Sequence, residues 1–269
     1  MQENGSVNVN GMPSDQASSD RPRMAIEPSA VTECRPPASA DIFPGVGFRI
    51  RREITRPSYD ASEMFKEFEL ADISDHLNRL YTIDPTIRCL AGSSKRLAGP
   101  ACTVKVYPGD NLMVHKALDI AKPGDVVVVD ARGAKANAVL GDTISMKARH
   151  RGIAGFIVDG YVRDVSGIQE MDYPVYARGA TIVGPLHRAP GEINYPVCCG
   201  GVVVNPGDII IADCSGVVVV PQSCVEQLRV ELLRHNERAA AYLEKVRKGE
   251  FSNAWVDQLL ASARCEIEG

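Results

Sequence analysis

The chain has 269 residues, is 45% hydrophobic, and carries a formal net charge of −4. That length suffices for a sizeable core, in one large domain or two small ones. The charge excludes a nucleic-acid footprint, the absence of any apolar run of spanning length excludes a membrane helix, and any acidic ligand must be met by individual arginines. No basic stretch followed by an apolar one opens the chain, so no signal peptide and a cytoplasmic location are expected.

Residues 1–42 are rich in Ser, Pro, Asn, Asp and Gln and are expected to form a flexible arm, with one α/β catalytic domain over 43–269. Asp60-Ala-Ser-Glu63 has the form of a capping box and predicts a helix start. A second short helix is expected from about Asp72, with Ile73, Leu77 and Leu80 on one face. Ala101–Tyr107 alternates as a strand, Leu112–Ile120 reads as a helix, and Val126–Asp130 is a buried strand ending in a carboxylate. A helix is expected over Asn137–Arg151, closed by Gly152, then a strand at Ile153–Asp159 that delivers Gly160 into a turn. Short strands follow at Pro174–Ala177, Thr181–Val183, Gly201–Val204, Ile209–Ala212 and Val217–Val220. Pro123-Gly124-Asp125 and Pro206-Gly207-Asp208 each precede a Val/Ile strand and read as recurring turn chemistry. The last element is a long helix over 223–248, started by a Ser223-x-x-Glu226 capping box and stopped by Gly249. Its apolar stripe is Val225, Leu228, Leu232, Ala239, Leu243 and Val246. The eight cysteines form no CxxC pair and are read as buried, reduced thiols.

The segment that carries chemistry is Gly141-Asp142-Thr143-Ile144 followed by Asp159-Gly160-Tyr161-Val162-Arg163-Asp164. Asp142 lies at or near a helix start, where free backbone N–H groups suit a carboxylate ligand, and Gly141 permits close approach. The next strand returns to the same rim, so Asp142, Arg163 and Asp164 converge. A carboxylate there can hold a hard divalent cation, and an arginine fork can bind a substrate carboxylate or stabilise an enolate. On the residues alone, the pattern suits equally a surface ion pair in a turn and a plain N-cap. Arg132, just past the strand ending at Asp130, is a further substrate-contact candidate. His76, His115, His187 and Arg188 are candidates as site-lining residues, each with packing, capping or a solvated loop as the plainer reading.

Asp142, twenty residues, then Arg163-Asp164 resembles the D-x20-R-D signature of the 4-hydroxy-4-methyl-2-oxoglutarate / 4-carboxy-4-hydroxy-2-oxoadipate aldolase family, which shares a superfamily with the regulator of ribonuclease activity A. Ile73-Ser74-Asp75-His76-Leu77, Gly99-Pro100-Ala101, Gly109-Asp110-Asn111-Leu112 and Asp213-x-x-Gly216-Val217 agree in order, over roughly residues 60–249. The resemblance implies an α/β fold of the β/β/α swivelling-domain-like sandwich type with a long C-terminal helix, assembled as a homotrimer or hexamer with sites at subunit interfaces. It implies a small-molecule 2-keto acid substrate and Mg²⁺ or Mn²⁺ anchored by Asp164. Arg163 would bind the pyruvyl oxygens, the Thr143 and Ile144 amides would hold a carboxylate, and Asp142 would hold a water or help move a proton. The implied reaction is a retro-aldol cleavage releasing pyruvate, with oxaloacetate decarboxylation through the same enolate. Glu237 is the candidate for the acidic residue that completes the neighbouring subunit's site, although the register of His235-Asn236-Glu237-Arg238-Ala239 is altered, and Thr143-Ile144 stands where leucine is usual after the acidic residue. The competing expectation is a non-catalytic regulatory binding protein of the ribonuclease-regulator type. A nucleotide-binding methyltransferase is rejected, because Val126–Asp130 is followed by Ala-Arg-Gly-Ala-Lys with no G-x-G.

Overall fold

Alternate residues of the central strands, all buried, face two different core clusters, and this sets the layering. In the computed structural model, which describes residues 41–91 and 96–268, the elements run in chain order. They are β1 (Arg49–Ile50), α1 (Ala61–Phe65), α2 (Leu70–His76), β2 (Arg88–Ala91), β3 (Leu97–Val106), α3 (Leu112–Ala117), β4 (Val126–Ala138), α4 (Asp142–His150) and β5 (Gly155–Val162). Then come α5 (Val165–Glu170), β6 (Val175–Ala180), β7 (Gly191–Ile193), β8 (Val197–Cys199), β9 (Val202–Val204), β10 (Ile209–Asp213), β11 (Gly216–Val220), α6 (Val225–Arg247) and α7 (Ala254–Ser262).

The main sheet has the order β1-β7-β3-β4-β5-β6-β2, with β3, β4, β5 and β6 parallel to one another. The first half of β3 leaves this sheet to pair antiparallel with β10, which pairs with β11. Val127 and Val129 of β4 and Phe156 and Val158 of β5 face a cluster with α3, α4 and α5. Their alternates, Val126, Val128 and Ile157, face β8 to β11. The outer residues of β10 and β11, Ile209, Ile211, Val218 and Val220, pack on α1, α2 and α6. The result is an α/β/β/α sandwich whose strands are buried on both faces, which is why they read as near-continuous Val/Ile runs.

The two Pro-Gly-Asp turns share one geometry. Asp125 Oδ2 accepts from Lys122 N and Asp208 Oδ2 from Asn205 N, both at 2.8 Å, and both glycines have positive φ. Asp60 caps α1 by accepting from the Ser62 and Glu63 amides.

Several expectations need correction. β4 runs on past Asp130 to Ala138, because Ala134 and Ala138 keep pairing with Gly160 and Tyr161 after register shifts, so α4 begins at Asp142 and not at Asn137. Gly160 consequently sits within β5, not in a turn. Thr181–Val183 is not a strand, and α2 ends at His76, so Leu80 lies in the turn beyond it, 76% exposed. The Ser223-x-x-Glu226 box does not form: residues Gln222–Cys224 make a 3-10 turn, and α6 starts at Val225 without a side-chain cap. The helix buries Val225, Leu228 and Leu232 only, leaving Leu243 and Val246 outside the core. α5 and α7 were not anticipated. Of the thiols, Cys102 and Cys199 are buried, but Cys198, Cys214 and Cys265 are exposed. The arm expected over 1–42 lies, but for its last two residues, outside the described residues. Among the described residues, no helix is long and apolar enough to cross a membrane.

Candidate active site

Three loop segments leave the carboxyl-terminal rim of the parallel strands side by side. Ala138 N donates to Val183 O at 2.8 Å, Val139 N to Tyr161 O at 2.8 Å, Arg163 N to Leu140 O at 3.0 Å, and Thr181 N to Val162 O at 2.9 Å. These bonds bring Gly141, Arg163 and Gly184 to one place. The cavity between them has a volume of about 270 Å³ and is lined by Asn111, His115, Gly141–Ile144, Arg163, Asp164 and His187 among others. It occupies the carboxyl ends of the strands, where open α/β sheets bind ligands.

Gly141 is the N-cap of α4, and Asp142 is its first helical residue, so Asp142 is not an N-cap. The amides of Asp142, Thr143 and Ile144 have no intrahelical acceptor. The Thr143 amide, expected to face a substrate carboxylate, instead donates to Asp142 Oδ1, as does the Thr143 hydroxyl at 3.1 Å. Arg163 Nε lies 3.1 Å from Asp164 Oδ2, and both side chains are nearly half exposed. Asp164 itself adopts left-handed backbone angles, φ 53° and ψ 40°, at the entry to α5. Asp tolerates this region better than most residues, and it turns the carboxylate back beside Gly141.

Glycines line the backs of all three signature residues. A Cβ on Gly141 would lie 2.6 Å from Asp164 Oδ2, one on Gly184 2.9 Å from Arg163 Nη1, and one on Gly167 3.1 Å from Asp142 Oδ2. Gly167 and Gly184 were missed in the sequence because nothing local marks a glycine whose neighbour is remote in the chain.

Asp142, Thr143, Ile144, Arg163, Asp164 and Gly141 are thus brought together. Arg132 is not among the residues lining this cavity; with φ 56° in the irregular half of β4, its amide donates to Asp130 Oδ1. Glu237 is exposed on α6 and does not line the cavity of its own chain. His76 stacks edge-on against His235 at 4.9 Å in a separate cleft, and Arg188 lines a different groove. His115 and His187 do line the cavity, and with them Asn111, which sequence reasoning placed in a motif without a role.

The donor set fits a single-anchor hard cation. Asp164 presents a half-exposed carboxylate with Asp142 across the same cavity, and Mg²⁺ commonly binds through one or two carboxylates while keeping several waters. Among the described residues, no cluster of three or more His, Cys, Asp or Glu side chains offers a closed cage of the zinc type.

Fold and cavity together define an α/β/β/α sandwich with an acid–arginine site at its strand rim. The family model described as RraA-like, Aldolase/RraA, matches residues 70–219, and the chain belongs to that family. It is 39% identical over 175 residues to a Halalkalibacterium halodurans protein provisionally named 4-hydroxy-4-methyl-2-oxoglutarate aldolase, covering 65% of this chain and 83% of that one. A Streptomyces coelicolor structure described as an unusual member of the RNase ES inhibitor RraA protein family superposes with TM-score 0.65 at 27% identity, over 71% of this chain and all of the other. The RNA-processing inhibitor RraA of Thermus thermophilis superposes with TM-score 0.54 at 31% identity, over 58% and 93%.

Proposed function

We propose that this protein is a divalent-metal-dependent lyase that cleaves the C3–C4 bond of a 4-hydroxy-2-keto acid and releases pyruvate, with oxaloacetate decarboxylation as a side activity. The observation that carries this is the meeting of Asp142, Arg163 and Asp164 in one cavity with the first turn of α4. The aldolase names of relatives such as that of H. halodurans support the same chemistry.

Asp164 would hold Mg²⁺ or Mn²⁺, which when bound supplies a Lewis acid at the 2-keto group. Arg163 offers a planar fork that suits the two pyruvyl oxygens and is always charged, so it stabilises negative charge as the enolate forms. Gly184, behind Arg163, has no Cβ to crowd the fork, which a Cβ there would meet 2.9 Å from Nη1. The Ile144 amide, and that of Thr143 once Asp142 turns away, hold the substrate carboxylate at the positive end of α4. Asp142 is then free to hold a water or a proton beside the reacting carbons. A base takes the C4 hydroxyl proton, the C3–C4 bond breaks, and protonation of C3 yields pyruvate.

The working assembly is a homotrimer or hexamer in which Glu237 of one subunit completes the neighbour's site. The exposed apolar residues Tyr242, Leu243, Phe251 and Trp255 on and after the outer half of α6 support a partner there. The likeness to RraA structures described as inhibitors keeps a second reading in view, a non-catalytic regulator acting through its surface.

The deciding experiment is pyruvate release, coupled to lactate dehydrogenase, from 4-hydroxy-4-methyl-2-oxoglutarate and from oxaloacetate with Mg²⁺, Mn²⁺ or EDTA, for wild type and Asp164→Ala. Metal-dependent release that disappears in the variant is expected. Release from neither substrate by folded, metal-loaded protein would favour the regulator.

A further inference from the structure

The cavity is also lined by two imidazoles that the signature motif does not include. The loop bearing His187 is pinned to the start of α3. Asp110 Oδ2 accepts from the Arg188 and Ala189 amides at 2.7 and 3.0 Å, Leu186 N donates to Gly109 O at 2.8 Å, and Asn111 N donates to Leu186 O at 3.0 Å. Asn111 is 1% exposed, and its Nδ2 donates to Val139 O at 2.9 Å. A carbonyl only accepts, so this bond fixes the amide with Oδ1 towards His187. His187 Nδ1 lies 2.6 Å from that oxygen. Nδ1 must therefore carry the proton, and Nε2 of the neutral ring is the acceptor.

His115 stands edge-on to His187 at 5.5 Å and 73°. Burial, then His187 and Lys147, hold the His115 imidazole below its ordinary pKa. The charged groups facing the pair are Lys147 of α4, with Asp142, Arg163 and Asp164 lining the same cavity; Lys116 of α3 is taken up by Asp119. The lowering favours the neutral form of the His115 ring that packs against His187.

We propose that His187, oriented by Asn111, is the group that takes the C4 hydroxyl proton and returns it to C3, with His115 as its positioning neighbour. This rests on the lyase reading above and supplies the base that reading leaves unnamed. His187 Nε2 takes the hydroxyl proton, and the O–H pair becomes the C4–O π bond. The C3–C4 pair becomes the C2–C3 π bond, and the C2 carbonyl π pair moves to the oxygen facing Arg163. The imidazolium then gives its Nε2 proton to C3 as the C2 carbonyl re-forms. Substrate goes to pyruvate plus a carbonyl product, with no proton gained or lost and no co-reactant.

The test is the full chain with Mg²⁺ or Mn²⁺, wild type against His187→Ala, read as kcat and KM for pyruvate release from acid to alkaline pH, with and without added imidazole. Deuterium exchange into the pyruvate methyl group, followed by NMR, isolates proton transfer at C3. His187 is exposed on its loop, and circular dichroism checks that the variant is folded. The expected result is a loss of roughly 10²–10⁴-fold in kcat with KM little changed, loss of the acidic limb of the pH profile, slowed exchange, and partial rescue by imidazole. An active wild type whose variant keeps its kcat and pH profile overturns the inference and leaves the lyase standing. So does a slowed variant with an intact acidic limb and no rescue. A wild type inactive on every 2-keto acid, with no pyruvate exchange, overturns both.

Discussion

Gly141 and Asp164 are packed so closely that no side chain fits between them: a Cβ on Gly141 would sit 2.6 Å from Asp164 Oδ2 and 3.0 Å from Arg163 Cγ. Gly141 has extended backbone angles that any residue adopts, so its requirement is one of space alone. The residue before the signature aspartate thus shapes the seat of the residue that ends the signature.

Gly141→Ala should displace both Asp164 and Arg163. Their half-exposed side chains can swing outward, so the stability cost is modest, ~1 kcal/mol, at the low end for overpacking. Pyruvate release should fall by about 10²-fold or more, the scale of a misplacement near 1 Å. Urea denaturation alongside the coupled assay separates the two effects. A variant with wild-type turnover would show that this contact does not set the geometry.

Arg178 offers a stability prediction away from the site. Its Nε pairs with Asp159 Oδ1 at 2.5 Å and its Nη1 with Asp84 Oδ2 at 2.9 Å, while Asp159 Oδ2 accepts from Gly200 N at 2.7 Å. Asp159 is 6% exposed and is the register partner of Asp130, another buried carboxylate. Arg178→Ala leaves Asp159 buried beside a like charge and should cost ~3 kcal/mol in urea unfolding. The Thr86 amide, followed by Arg178 and the Thr86 hydroxyl, holds Asp84 down at about 2. The stability Asp84 contributes is present above the ordinary carboxylate pKa and is lost as pH falls from there through the folded value of about 2. Acid unfolding of Arg178→Ala should therefore begin at higher pH than in wild type.

His115 gives a second pH dependence with the same sign. Its pKa is lowered in the folded chain, so the folded state binds this proton more weakly than the unfolded state does. The contribution is fully present above the unfolded value of about 6.5 and is lost as pH falls through the lowered folded value. Urea midpoints between neutral and mildly acidic pH should fall less steeply in His115→Gln than in wild type. Parallel slopes for the two proteins would contradict the burial of this ring against His187.

Strand interiors were readable in the sequence because burial on both faces writes unbroken Val/Ile runs: Val126–Asp130, Ile209–Ala212 and Val217–Val220 all fall within observed strands. Element ends were less readable. Nothing between Asp130 and Asn137 distinguishes a helix start from a strand continued over two register shifts, since the pairing partners Gly160 and Tyr161 lie far along the chain. The exposed thiols Cys198 and Cys214 were misjudged for a related reason. Each sits at a hairpin position whose outward face depends on register, which residue type does not reveal.

By itself the sequence determined the family and the residues that meet at the rim, because a fixed spacing of Asp142, Arg163 and Asp164 across a helix and a strand returns them to one end of a parallel sheet. Only the tertiary structure decided what surrounds them. Asn111, His115, His187 and Gly184 reach the cavity from the start of α3 and the loop before β7, Gly167 of α5 lies behind Asp142, and their contacts to the signature residues, and to one another, are set by packing between segments up to 76 residues apart. Chemistry that depends on a fixed amide orientation or on the absence of a Cβ leaves no local periodicity to read; it exists only once the chain has closed on itself.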